Sequence, residues 1–290
     1  MTNPTMLPYL LQLLDDDSEV VRDALMEEFS AFGPMLHTEL ARLPDPPSPG
    51  QRNAIQGLLA RHNRKWLREA WKQWYEIEED KEKLERALSM IAEFQNGPGY
   101  GRTLSDLLDD LAQEFVQRDD LKKDAVTLAR FLFMEKGIKG ERTDYYHPNN
   151  SNLVFVIQAR RGLPISLACV YILLGHRLGL DIEGCNWPGH FFARIYVNGS
   201  LMLVDCFNEG HCIDVESFLK MQGPSRDAAQ AVLAAEADAE IIISRVLNNL
   251  SRAYQRVEHW ANSELVTELI KDLEKHQAAE KGAFLRRGSA

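Results

Sequence analysis

Two residues in this chain have types and spacing suited to proton transfer, His190 and Asp205. An imidazole oriented by a carboxylate can take a proton from a nucleophile and return it later. The two flank Asn198-Gly199, the strongest two-residue hairpin signal. The segments on either side, HFFARIYV at 190–197 and SLMLVDC at 200–206, read as strands. A two-residue loop makes Val197 face Ser200, so Phe192 pairs with Asp205. Side chains alternate faces along a strand, which puts His190, Phe192, Asp205 and Phe207 on one face. His190 and Asp205 become diagonal neighbours with α-carbons ~7–8 Å apart, within reach of a hydrogen bond. The same geometry also suits a core histidine satisfied by its carboxylate, with no chemistry at all.

A second constellation is Cys185-x4-His190 and Cys206-x4-His211-Cys212. Zinc takes Cys and His in fours. The usual short C-x2–4-C step is missing, and strand alternation turns Cys206 away from Asp205 and His190. A zinc-stabilised domain is therefore the third-ranked reading. The expected metal ligands are none, and no cofactor is implied.

The hairpin needs a platform, and residues 164–178 supply a candidate. Proline at the first turn of a helix is favourable because its missing N–H would be unpaired anyway. The run PISLACVYILLGHRL is apolar almost all round, which marks a central buried helix. Residues 137–152, rich in Gly, Tyr and Asn, read as loop. There Tyr145, Tyr146, Asn150 and Asn152 either line a ligand cleft or fix turns. Pro164 and Trp187 complete the candidate binding residues.

Other elements flank this core. Leu7, Leu10, Leu11 and Leu14 recur at helical spacing, Asp15-Asp16-Asp17-Ser18 breaks the helix, and a second runs to Gly33-Pro34. This phrase resembles one HEAT repeat, which cannot bury its own face and must dock on something else. Residues 44–50 carry four prolines and read as a linker. One long helical stretch is expected over 51–94, stopped by GPGYG at 97–101, with helices over 104–115 and 121–135. Trp66, Trp71, Trp74 and Tyr75 read mainly as interdomain packing. From about Ala228 two helical phrases resemble one tetratricopeptide-type pair, with a frayed end over 280–290. The expected division is 1–43, 44–50, 51–225 and 226–290.

The chain has 290 residues with 33 Lys+Arg against 43 Asp+Glu, a net charge of −10. That balance argues against a nucleic-acid binder. No apolar run reaches the ~18 residues of a membrane helix. The N-terminus lacks a basic n-region, and four cysteines do not make a disulfide scaffold. The expected setting is a reducing cytoplasm, with no membrane contact.

The wording of residues 128–215 resembles the bacterial SirB-type transglutaminase-like family, a domain that also occurs in an F-box protein. The phrases that carry it are DYYHPNNSN at 144–152, RGLPISL at 161–167, RLG at 177–179, PGHF at 188–191 and DCFN at 205–208. The resemblance implies an α+β fold: a transglutaminase-like or papain-like core, a buried helix on a small antiparallel sheet, wrapped by helices at both ends. Active members of such families carry a Gly-x-Cys step at the start of the buried helix. Laid on Gly162, Ala168 and Leu178-Gly179, the pattern puts Pro164 where that cysteine should stand, while His190 and Asp205 take the other two positions. Proline has no nucleophilic atom. Cys169 sits mid-helix in an apolar run, where a thiol is inert. Ser166 is ~200° round an ideal helix from Pro164 and would need an irregular first turn to serve.

The expected function is thus a non-catalytic module that binds a peptide or protein partner. The competing reading is a hydrolase or acyltransferase using Ser166, His190 and Asp205. Partner identity and oligomeric state stay open.

Overall fold

Several helices in this chain start at a polar cap, Ser48, Glu79, Thr103, Asp124, Asn152 and Asp238 among them. The structure is a computed structural model and describes residues 3–97, 102–118, 122–221 and 226–287. Helices α1 (Leu7–Gln12), α2 (Glu19–Ala31) and α3 (Leu36–Ala41) come first. Their apolar residues Leu7, Leu25, Phe29 and Phe32 gather in a small core with Ile55 and Leu58 of α4 (Pro49–Trp74). The N-terminal helices therefore dock on the first half of α4. That helix begins inside the stretch expected as linker. Pro49 occupies the first helical position, where its missing N–H costs nothing. Ser48 and Gln51 form a capping box around it, with Gln51 N donating to Ser48 Oγ at 3.2 Å and Ser48 N to Gln51 Oε1 at 2.9 Å.

The expected single helix over 51–94 is two. Residues 75–79 separate α4 from α5 (Asp80–Asn96), whose start Glu79 caps by accepting from Lys81 N and Glu82 N. Trp74 Nε1 donates to Lys83 O at 2.7 Å and so ties the two helices together. Trp71 and Trp74 are buried in the main core. Gly97, at φ +92°, ends α5, and the rest of the GPGYG stop lies outside the described residues. Next come α6 (Leu104–Val116) and α7 (Ala125–Arg130), which widens into a π-helical turn over Phe131–Glu135. The helix expected from 121 starts at 125 because Asp124 caps it, accepting from Thr127 N at 2.9 Å; residue 121 itself lies outside the described residues.

The region read as loop contains short structure. Strand β1 (Lys139–Gly140) pairs in parallel with β2 (Arg161–Gly162), and a 3-10 turn over Pro148–Ser151 leads into α8 (Leu153–Ala159). Then comes α9 (Pro164–Arg177), buried from Pro164 to Gly175. Arg177 anchors its far end: the guanidinium takes Glu85 of α5 at 2.6 and 2.7 Å and Asp109 of α6 at 2.7 Å. Four antiparallel strands follow in sequential order, β3 (Glu183–Cys185), β4 (Phe192–Val197), β5 (Ser200–Asp205) and β6 (His211–Asp214). The β4–β5 turn is Asn198-Gly199, both at positive φ, and Val197 pairs with Ser200 as the two-residue loop requires. Strands β3 and β6 are new relative to the sequence reading.

The chain ends in α10 (Val215–Met221), α11 (Arg226–Ala234), α12 (Ala239–Arg256) and α13 (Trp260–Arg287). Ile242, Ile243 and Leu247 of α12 and Leu265 and Leu269 of α13 join Trp71, Leu88 and the residues of α9 in one main core. The helical end expected to fray continues to Arg287, and residues 288–290 lie outside the described residues. The whole is the expected α+β arrangement, a buried helix on a small antiparallel sheet within many helices. No helix among the described residues is long and apolar enough to cross a membrane.

Candidate functional site

His190 stands just before β4 and Asp205 closes β5, so the hairpin register brings them together. Their contact is 2.9 Å, from Nε2 to Oδ1. Asp205 is 8% exposed and has further partners. Phe207 N and Asn208 N both donate to Oδ1 at 3.2 Å, and Asn208 Nδ2 donates to Oδ2 at 2.7 Å. Burial alone would raise the carboxyl's pKa, but hydrogen bonds from His190 and Asn208 outweigh it and hold Asp205 below the usual carboxylate range. An ionised carboxylate only accepts, so Nε2 carries the proton and Nδ1 is left for another partner. Phe192 packs on the imidazole at 4.5 Å between ring centres, and Phe207 meets it edge-on at 6.3 Å. The shared face of His190, Phe192, Asp205 and Phe207 is thus occupied as the alternation requires.

Ser166 does not join this pair. Its Oγ is fully buried and donates to Asn150 O at 2.6 Å. The helix starts regularly at Pro164, so Ser166 faces the loop before α8, as an ideal helix demands. The Ser166–His190–Asp205 triad is therefore not assembled. The thiols offer no substitute. Burial pushes the Cys185 pKa up to about 11 and those of Cys169 and Cys206 higher still, and it also raises Cys212. All four are free and poor in thiolate at neutral pH. The zinc reading fails on geometry: among the described residues, no three His, Cys, Asp or Glu side chains gather closely enough to hold a metal.

A cleft of about 570 Å³ opens between the start of α9, the Tyr145–Tyr146 loop, Asn186, Gly189 and Phe191, and α12; it reaches the chain neighbours of His190, but neither His190 nor Asp205 lines it. Pro164, Tyr145 and Tyr146 line it. Tyr145 is half-buried, which raises its pKa, and it bridges Tyr146 and Phe207 with edge-on contacts at 5.2 and 6.3 Å. Three other candidates are corrected. Asn150 is 2% exposed and does not line the cleft; its Nδ2 donates to Asp144 O and Tyr145 O at 2.7 and 3.0 Å, fixing the loop. Asn152 likewise caps α8, accepting from Phe155 N. The Trp187 ring packs edge-on against Phe218 at 4.9 Å in a satellite core with Cys185 and Leu203. Only its carbonyl serves the site, accepting from His190 N at 3.1 Å and Arg245 Nη1 at 2.8 Å.

The sequence reading missed the far wall of the cleft. Arg245, Asn248, Asn249 and Arg252 of α12 line it. A signal was present. Positions 245, 249, 252 and 256 are Arg, Asn, Arg and Arg at helical spacing, on a helix whose other face is apolar. A helix pair assumed only to cover a core hides such a stripe.

Comparison with known proteins agrees with this architecture. The family described as the transglutaminase-like superfamily matches residues 99–248, more than half of the chain. A UPF0162 protein of Xylella fastidiosa (strain Temecula1) is 30% identical over 187 residues, 60% of this chain and 66% of that protein. A UPF0162 protein of Pseudomonas aeruginosa is 30% identical over 176 residues, 59% of this chain and 65% of that one. The match thus spans just under two thirds of these bacterial relatives. Mouse F-box only protein 21 is 27% identical over 128 residues, 41% of this chain and 20% of its own length. No solved structure matches the chain. The family match covers α9, the four-stranded sheet and the His190–Asp205 pair, and on that ground the chain belongs to the transglutaminase-like superfamily.

Proposed function

We propose that this chain is a SirB-type transglutaminase-like module that binds a peptide or protein segment without catalysing a reaction on it. One observation carries the reading. His190 keeps its Asp205 at 2.9 Å, yet the first turn of α9 offers only Pro164, and Ser166 is committed to Asn150 O. A general base without a nucleophile has nothing to activate. The cleft supports binding, being concave and lined by the rings of Tyr145, Tyr146 and Phe191 facing a polar wall of Arg245, Asn248, Asn249 and Arg252. The apolar faces of the HEAT-like and tetratricopeptide-like pairs are already buried, which favours the cleft over the helical flanks.

The test is turnover. Amine incorporation into a glutamine peptide and hydrolysis of an activated ester are measured for the natural chain and for His190→Gln. Equal background rates are expected. Turnover by the natural chain that His190→Gln abolishes would overturn the reading. In the same experiment Pro164→Cys supplies the missing atom. A thiol at a helix N-terminus near an imidazole has a pKa lowered by about one to several units. Its alkylation by iodoacetamide at pH 6.5 should be about ten-fold faster in the single variant than in the Pro164→Cys, His190→Gln double variant.

A further inference from the structure

The cleft carries charge of one sign. Arg245 and Arg252 line it, with no Asp or Glu among its lining residues, in a chain where acidic residues outnumber basic ones by ten. Arg245 is the telling member. It is half-buried, its guanidinium lies over the Phe191 ring at 5.7 Å, and Nη1 donates to Asn186 Oδ1 and Trp187 O, both neutral. Arg177 and Arg194, also held inside the fold, have carboxylate partners, Glu85 and Asp109 for the first and Glu183 for the second, whereas Arg64, like Arg245, is half-buried and meets only an amide oxygen, Asn262 Oδ1 at 3.1 Å. Among the described residues Arg245 has no such partner, and burial pulls its pKa down with no carboxylate to restore it. A partly desolvated cation without a counter-ion is costly, and an incoming carboxylate removes that cost.

Spacing adds a second constraint. Arg245 and Arg252 are seven residues apart on α12, about two turns, so they share a face with ~10.5 Å of rise between them. Arg256 continues the stripe and covers the Tyr146 ring at 3.7 Å. Three residues of extended chain span about the same ~10 Å. Tyr145 lines the same cleft and offers flat apolar area, and Asn248 and Asn249 offer amides suited to a peptide backbone.

Building on the binding-module reading, we propose that the cleft recognises an acidic peptide segment, with carboxylates about three residues apart paired to Arg245 and Arg252. The net charge of −10 disfavours a long polyanion such as a nucleic acid, which would extend over the rest of the surface, more than a segment of a few residues held within the cleft.

The experiment is an array of random heptapeptides probed with the full chain and two variants. Arg245→Met removes the inner cation, and Arg252→Glu, at an exposed position, inverts the outer one while leaving the core untouched. The natural chain should retain peptides enriched in Asp and Glu at two positions three apart. Signal should fall at least about ten-fold in each variant, and fall steeply between 0.05 and 0.5 M salt. Where Arg245→Met fails to fold, Arg252→Glu alone decides. Peptides retained without acidic enrichment overturn this proposal and leave the binding module standing. No peptide retained overturns both. A 12-nucleotide RNA that binds the natural chain and is lost in Arg252→Glu also overturns the acidic-peptide assignment.

Discussion

At the scale of single residues, Asp205 does the most. It receives His190, two backbone N–H groups and the Asn208 amide, and these hold its pKa below the ordinary value. A depressed carboxylate contributes stability that is present above its unfolded pKa, near 3.9, and is lost as pH falls through the lower folded value. Asp205→Asn is therefore expected to cost about 1–3 kcal/mol at pH 7 by urea unfolding. The gap between variant and natural chain should close below about pH 4. A gap that stays constant down to pH 2 would contradict the linkage. This pair was legible in the sequence because Asn198-Gly199 fixes the loop length, loop length fixes register, and register fixes the face. The partner of Ser166 was not legible. It depends on where the 144–152 loop passes under α9, a tertiary fact that no local spacing encodes.

At the scale of elements, the smallest pairing in the fold governs the surroundings of the imidazole. Gly140 of β1 lies so close to the Phe207 ring that an added methyl would sit 2.5 Å from it. Phe207 in turn touches both His190 and Tyr145. Gly140→Ala must displace the ring, and should cost about 1–3 kcal/mol. It should also move the His190 imidazole proton resonances. Gly57 is the control: it is exposed in the middle of α4 with nothing within 4 Å of an added methyl, so Gly57→Ala should stabilise by about 0.5–1 kcal/mol. Unchanged resonances in Gly140→Ala would mean that Phe207 does not couple the strand pair to the histidine. Helix α9 and the β4–β5 hairpin could be read in advance because their patterns are long and their punctuation is strong. Strands β3 and β6 and helix α8 are three, four and seven residues long, too short for any period to emerge. The break between α4 and α5 has neither proline nor glycine, only a glutamate cap that looks like any other acidic residue.

At the scale of the whole molecule, two cores of unequal size share one helix. The first half of α4 gives Ile55 and Leu58 to the small core, and the second half gives Leu67, Trp71 and Trp74 to the main one. The sequence division at residues 44–50 marks the turn before α4, but the boundary between the cores falls inside the helix, where composition does not change. With 26 residues α4 is about 39 Å long, and its middle belongs to neither cluster. Amide exchange should register this as a gradient along one continuous helix. Residues 52–60 can lose protection whenever the small cluster opens, whereas residues 67–74 must wait for the larger unit. The first group should exchange at least about ten-fold faster than the second under native conditions. Uniform protection from end to end would instead mean that both clusters unfold as one cooperative unit. In the graded case the N-terminal helices form a separate foldon, held to the rest by a strut that stays partly wound when they leave it.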